Sequence, residues 1–460
     1  MRPWLFTAQM CFFAHTVRLL LHKGEKPPLC AGTPVFRGVL RHPARRGDRI
    51  HGIWTWEGGI VFYGWKLTAV GTFGNLMLQG GVFYVMNAFM EPMTAANGWS
   101  RSAMSFCMGI ASICEVLSMP LAISLAMRFS IRRVMTAGAF AGGLAFIGLG
   151  HVTELWLFTV LLALLWGCGQ LCGGVVANLL ISRWFHKYQG RAFGIVNMGA
   201  SLAGAVVPFV ALLLIDAFGL ASAATVLGGC LLVFVPLCYA IVRDRPAEKG
   251  LGTDGDSSSV PDSAPQSGVG VRELFRGTRL WIVGTVFGVA LLCSSGVLGQ
   301  LKPHFADIGM SSYLAMTCMC LTALCGAIGK CAWGWICDKT TPLFSAKLLI
   351  LCNALSLLFI LIPDSLWGTA LFIVCFGVCN GGVWTVYPAV ISYLYGRTQF
   401  FAVYRYASLF VLIQSLGYTM MGISYDVTGT YNMAYLAMIV MLLLSFAAIM
   451  TVREPESTAC

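Results

Sequence analysis

Two ionisable residues stand where ionisable residues are expensive. Glu115 lies midway along an apolar run at 102–126, and Lys330 lies inside another at 312–336. A charged side chain at bilayer depth costs at least about 2.5 kcal/mol on insertion scales, so one that is retained needs a partner or a task. A lysine there can meet a carboxylate as a compact point charge. The plainer reading is an ammonium that snorkels to the surface, since Lys330 lies about two turns (roughly 9–11 Å) from the end of its run. A glutamate at that depth can take up and release a proton. Its plainer reading is a protonated side chain bonded to a neighbouring helix. Arg405, near the start of the run at 400–424, is a further cation, at the place of an interfacial charge. Polar groups on other runs could line a wet interior: Asn75, Gln79, Asn87, Gln170, Asn178, Asn197, Gln300, Asn380, Tyr387 and Gln414. Hydrogen bonding between helices explains any single one of them equally well.

The elements that must position these groups are long and apolar. The chain has 460 residues, of which 58% are hydrophobic and only 11% charged. A soluble domain carries about 25% charged residues, so most of this chain faces lipid or other apolar helices. Crossing roughly 30 Å of hydrocarbon takes about 20 residues. Counted on that measure, the runs lie at 63–89, 102–126, 134–150, 155–181, 190–215, 220–242, 280–301, 312–336, 347–362, 366–393, 400–424 and 431–452. They predict an all-α membrane protein of twelve transmembrane helices in two six-helix halves. The expected domains are a disordered N-terminal extension over 1–60, a first half over 61–242, a cytoplasmic linker over 243–278, a second half over 279–453 and a tail over 454–460. Residues 253–268 are rich in Ser, Pro, Asp and Gly, a composition that cannot bury a core.

The net charge is +11, but the basic residues cluster between the runs, where they set orientation and do not make a nucleic-acid face. With both termini inside, Lys66, Arg128, Arg132, Arg133, Arg183, Lys187, Arg191, Lys339, Lys347, Arg397, Arg405 and Arg453 all fall on the cytoplasmic side, and only Arg101 and Lys302 fall outside. The expected location is therefore the inner (plasma) membrane, with many passes. The 18 cysteines sit mostly within apolar runs and read as small packing residues. No nucleotide loop, metal cluster or nucleophile–base set is visible, so neither an enzyme nor a cofactor is expected.

Two stretches carry a resemblance. Gly329-Lys330-Cys331-Ala332-Trp333-Gly334-Trp335-Ile336-Cys337-Asp338-Lys339 resembles the G-x-x-x-G-x-x-x-D-[RK] signature of major facilitator superfamily transporters. Its first-half counterpart keeps Arg128, Arg132 and Arg133 but has Met127 where the acid is usual. Arg183-Trp184-Phe185, followed by Arg191-Ala192-Phe193-Gly194, Asn197, Gly199, Ser201, Gly204 and Pro208, looks like the monocarboxylate-transporter and oxalate/formate-antiporter branch. Tyr63-Gly64-Trp65-Lys66, Gly98-Trp99-Ser100-Arg101 and Pro303-His304-Phe305 resemble bacterial members, with the last taken to lie outside the seventh span. The resemblance covers roughly 63–453.

The resemblance implies secondary transport of a small organic anion, a monocarboxylate or short dicarboxylate, in exchange for a counter-anion or coupled to protons. It implies a monomer in the lipid bilayer with no nucleic-acid partner. Lys330 matches a position where that branch places a substrate-binding cation. Gly326 stands where many members have an acid, and aligning the two latch loops sets Glu115 opposite it, which makes Glu115 the proton-coupling candidate. Gly334, Asp338, Lys339, Arg128 and Arg132 form the expected conformational latch. Arg405, Asn75, Gln79, Gln300, Asn380 and Tyr387 complete the expected substrate site. The alternative is proton-driven efflux of an amphiphilic compound, which has no need of Lys330. A transporter-like sensor is a third class.

Overall fold

A computed structural model describes residues 54–56, 59–99, 101–255, 275–307, 309–362 and 366–454. Most of the expected N-terminal extension lies outside these residues. At its end, β1 (Trp54–Trp56) pairs antiparallel with β2 (Gly59–Val61), Thr55 opposite Ile60.

The remainder forms twelve helices. In the first half these are α1 (64–97), α2 (Arg101–Arg128), α3 (Ile131–Leu149), α4 (Leu155–Trp184), α5 (Gln189–Phe218) and α6 (Leu220–Ile241). The second half has α7 (Thr278–Asp307), α8 (Ser312–Lys339), α9 (Pro342–Ile360), α10 (Trp367–Gly396), α11 (Gln399–Thr428) and α12 (Asn432–Met450). Ten of them are long and apolar enough to cross a membrane on length and composition alone. The other two are α1, interrupted by a π-helical stretch at Asn75–Gly80, and α3, which carries Arg132 and Arg133 in its first turn. Both pack among the others, α1 against α5 and α3 against α4 and α6. Large apolar side chains such as Phe106, Phe209, Trp367 and Leu444 are exposed, as lipid-facing positions require.

Boundaries follow capping chemistry more closely than hydropathy. α3 begins at Ile131 because Ser130 stands before it, its Oγ accepting from the Arg133 amide at 3.2 Å. The second half repeats the device: Thr341 Oγ1 accepts from the Phe344 amide at 3.2 Å, and Pro342 opens α9. That start lies five residues before the apolar run at 347. α1 runs past the apolar stretch ending at 89, and Gly98 stops it at φ 69°. α10 and α11 are separated by little more than Gly396 at φ 72°. His304 corrects the sequence reading, which set it in an external loop. It is buried inside α7, with its ring 5.4 Å from that of Tyr435 and 5.9 Å from that of Tyr431.

The chain after α6 is anchored. Asp244 accepts from the first amides of α3, Ile131 (3.1 Å) and Arg132 (3.0 Å), and the Trp184 indole donates to the Arg243 carbonyl at 2.9 Å. Asp254, at φ 57°, accepts from the His186 and Lys187 amides in the α4–α5 turn at 2.9 and 2.6 Å. The pseudo-equivalent acid in the second half is Glu454, which accepts from Thr341 Oγ1 at 3.2 Å.

The halves meet most closely where α5 lies against α8. A Cβ on Gly190 would overlap the Gly334 carbonyl, and one on Gly194 would overlap the Lys330 carbonyl. Absence of side chains is what brings the two backbones together, as expected where lipid supplies no hydrophobic drive between helices. Gly194→Val is expected to separate this seam at a cost of about 1–3 kcal/mol. A lowered melting temperature of the detergent-solubilised protein checks it, with Gly109→Val, where a Cβ meets nothing within 4 Å, as the neutral control.

Candidate functional site

Lys330 belongs to a stripe on α8. Lys330, Gly334 and Asp338 recur every four residues on the side turned to α5, while Gly326, one turn earlier, lies mainly against the α10 backbone at Gly377 and Gly381. Lys330 is only 6% exposed, and its Nζ donates to the Asn197 carbonyl of α5 at 2.9 Å. The side chain therefore crosses the seam between the halves and does not reach for the surface. An ammonium can donate three hydrogen bonds, and this carbonyl satisfies one.

Asn197 is held in turn. Its Nδ2 donates to Asn178 Oδ1 on α4 at 3.0 Å and to the Phe193 carbonyl at 2.9 Å. Asn178 Nδ2 reaches the Tyr404 hydroxyl of α11 at 3.5 Å. Nearby, Cys331 Sγ lies 3.5 Å from Met198 Sδ across the same seam.

About two turns towards the end of α8, Asp338 accepts from the Gly190 and Arg191 amides at 2.7 and 3.0 Å, and Arg191 Nε lies 3.3 Å from its carboxylate. These amides open α5, where a helix lacks internal acceptors and presents positive charge. Further bridges lie at the same level: Gln189 Nε2 to Ser392 Oγ at 3.0 Å, the Arg183 guanidinium 4.3 Å from the Phe401 ring centroid, and the Phe193 and Phe400 rings 6.4 Å apart. They gather on the face that bears the α2–α3, α4–α5 and α8–α9 turns, hereafter the basic face.

Glu115 sits in a separate cluster inside the first half. Its Oε1 accepts from Gln79 Nε2 of α1 at 2.6 Å and from Gln170 Nε2 of α4 at 3.0 Å. Breaks in both helices place these amides. α4 is interrupted at Gly173, and the freed Gly174 amide donates to Asn75 Oδ1 at 2.7 Å, that of Val175 to Gln170 Oε1 at 3.2 Å. Asn75 also donates to the Val196 carbonyl of α5 at 2.8 Å. Gln79 lies within the π-helical stretch of α1, a distortion common at functional sites, and its Oε1 is buried without a hydrogen bond among the described residues.

The remaining sequence candidates divide. Asn75 is 1% exposed, with both ends of its amide engaged between helices. Tyr387 is buried, its hydroxyl donating to the Ala407 carbonyl at 2.6 Å and its ring stacked on Phe287 at 4.8 Å. Gln300 accepts from the Tyr431 hydroxyl at 3.5 Å, and Asn380 is half-buried in α10. Arg405 is half-buried with its guanidinium 5.5 Å from the Tyr406 ring centroid. Of the latch residues, Gly334 and Asp338 lie in the seam, and Lys339 is exposed beside it. Arg132 is held inside its own half, Nε donating to the Tyr239 carbonyl at 2.6 Å with the guanidinium 3.7 Å from that ring centroid. Arg128 is exposed over Phe129. Tyr404 and Asp254 escaped sequence reading. The first stands beside the more conspicuous Arg405, the second in a stretch whose composition suggests only a linker.

Residues 72–411 match the family model described as Major Facilitator Superfamily. Two relatives align over most of their length. The uncharacterized MFS-type transporter YhjX of Escherichia coli (strain K12) is 22% identical, covering 72% of this chain and 80% of that one. Monocarboxylate transporter 11 of Homo sapiens is 25% identical, covering 81% and 79% respectively. Among solved structures, that of the proton:xylose symporter XylE is similar in fold, with TM-score 0.68 at 16% identity over 85% of this chain and 96% of that chain.

Asp338→Ala is expected to leave the Gly190 and Arg191 amides unsatisfied and to destabilise the protein by about 1–3 kcal/mol. Thermal unfolding in detergent measures this, and Arg191→Gln, which keeps the backbone donors, should cost less.

Proposed function

The chain belongs to the Major Facilitator Superfamily, and from that membership we propose that it carries a small organic anion, a monocarboxylate or short dicarboxylate, across the membrane by alternating access. It is a transporter and not an enzyme. The observation that carries the anion reading is Lys330, a buried cation with one close acceptor among the described residues, at the seam between the two halves. Retaining such a group at hydrocarbon depth is reasonable when an anion supplies the missing partners. Similarity to monocarboxylate transporter 11 points the same way.

Alternating access needs two rigid bodies and a seam that opens. The bridges on the basic face supply the closed seam on that side, and the concentration of Lys and Arg there supports a cytoplasmic assignment for it, with both termini inside the plasma membrane. The chain acts as a single copy. Glu115, gripped by two amide donors in the first half, serves as the group that takes up the coupling proton, if coupling is to protons and not to a counter-anion.

Uptake of radiolabelled pyruvate, oxalate and related carboxylates into proteoliposomes, with and without a pH gradient, tests the proposal. Removing one member of a buried charge pair costs about 2–5 kcal/mol, so Lys330→Ala should slow anion uptake at least about thirtyfold, while Lys330→Arg keeps part of it. Uptake of every carboxylate at the wild-type rate in Lys330→Ala would remove Lys330 as the anion's partner, whereas no carboxylate uptake by the wild type together with an undiminished efflux of amphiphiles in that variant would end the anion reading and favour drug-like export. For Glu115→Gln the expected result is uptake that no longer responds to a pH gradient. A full response in that variant would remove Glu115 from coupling.

A further inference from the structure

We propose that Lys330 is itself a fastening of the gate on the basic face, released when an anion arrives, and that Asn197, Asn178 and Tyr404 are the positioning residues that hold it closed. This rests on the reading of Lys330 as the anion's partner and adds how binding at that residue is communicated to the seam.

The geometry forms a closed circuit across the two halves. Lys330 of α8 bonds the Asn197 carbonyl of α5, the Asn197 amide bonds Asn178 of α4, and Asn178 returns to Tyr404 of α11. The chain of contacts thus leaves the second half at α8 and re-enters it at α11. All four residues are buried, with exposures of 6% for Lys330, 7% for Asn197, 3% for Asn178 and 4% for Tyr404. Water competes poorly for such bonds, so they count towards keeping the halves together.

The circuit can also be undone at low cost. A carbonyl inside a helix accepts from the amide four residues on, so the Asn197 oxygen is not orphaned when the ammonium leaves it. A carboxylate is a stronger acceptor for an ammonium than a neutral carbonyl. As an anion approaches from the opposite face, Lys330 exchanges the carbonyl for the carboxylate, and one of the bonds across the seam disappears. The site is thereby charged and its floor loosened by the same movement. Asn178 and Tyr404 touch the seam and not Lys330, so their contribution is to fix Asn197 in the place where its carbonyl meets the ammonium.

A native cysteine reports on this. Cys331 is half-buried in the seam against Met198, and opening the basic face exposes it. Alkylation by N-ethylmaleimide, followed at Cys331 by peptide mass spectrometry on the full-length protein, measures the open fraction. Cys172, fully buried within the first half, remains unmodified as long as the fold is intact. Asn178→Val and Tyr404→Phe are each expected to accelerate Cys331 alkylation about fivefold, the effect of one hydrogen bond of about 1 kcal/mol. Tyr404→Phe keeps the stacking of this ring on Phe400, at 5.0 Å and 14°. Pyruvate or oxalate should accelerate Cys331 alkylation in the wild type and leave Lys330→Ala, already fast, unchanged. Wild-type alkylation rates in both Asn178→Val and Tyr404→Phe, with Cys172 protected, would overturn the circuit. An equal response to the anions in Lys330→Ala would overturn the release step. If Lys330→Ala transports anions normally while the two seam variants still alkylate faster, Lys330 falls as the anion's partner and the fastening remains as a purely structural one.

Discussion

Lipid does not push helices together. Inside a bilayer the apolar faces of two helices gain little by touching each other instead of acyl chains, so what joins the halves of this protein has to be close backbone packing and hydrogen bonds. The α5–α8 seam has both. Glycines at 190, 194 and 334 remove the side chains that would separate the backbones, and the carboxylate of Asp338 supplies acceptors to the start of α5. Lys330 reaches Asn197 only because the seam is this narrow.

The halves repeat one another in their scaffolding more than in their latches. Ser130 and Thr341 cap the third helix of each half, and an acid following the sixth helix, Asp244 or Glu454, returns to that cap. The latch acid has no such twin. Met127 stands in its place and is 43% exposed, while the neighbouring Arg132 is committed to Tyr239 within the first half. Among the described residues, no carboxylate at the end of α2 bridges to the second half as Asp338 bridges α8 to α5.

Periodicity and composition made twelve helices, the split into halves and the uneven distribution of basic residues legible, because apolar runs of membrane length leave few alternatives. Helix starts were less legible. Capping by Ser130 and Thr341 involves residues that a hydropathy count treats as interruptions. His304 shows the same limit from the other side, since a Pro-His pair reads as a loop although α7 continues through it to Asp307. Within the candidate site, charges were visible as charges, and the spacing of Gly334 and Asp338 marked a latch. Partners were not visible. Nothing in the string of residues says that Lys330 meets a carbonyl 133 positions earlier, or that Asn75, polar on the first helix, is consumed in binding three helices together. The four-residue recurrence of Lys330, Gly334 and Asp338 was available, and it sets the three on one side of α8 without naming the helix they face.

Asn75 has a mechanical consequence. Through one amide it grips the interruption of α4 and the backbone of α5 from its own position on α1. Three helices of the first half thus share one rivet, and its two hydrogen bonds, each worth about 1 kcal/mol, favour their moving together over any one of them swinging alone.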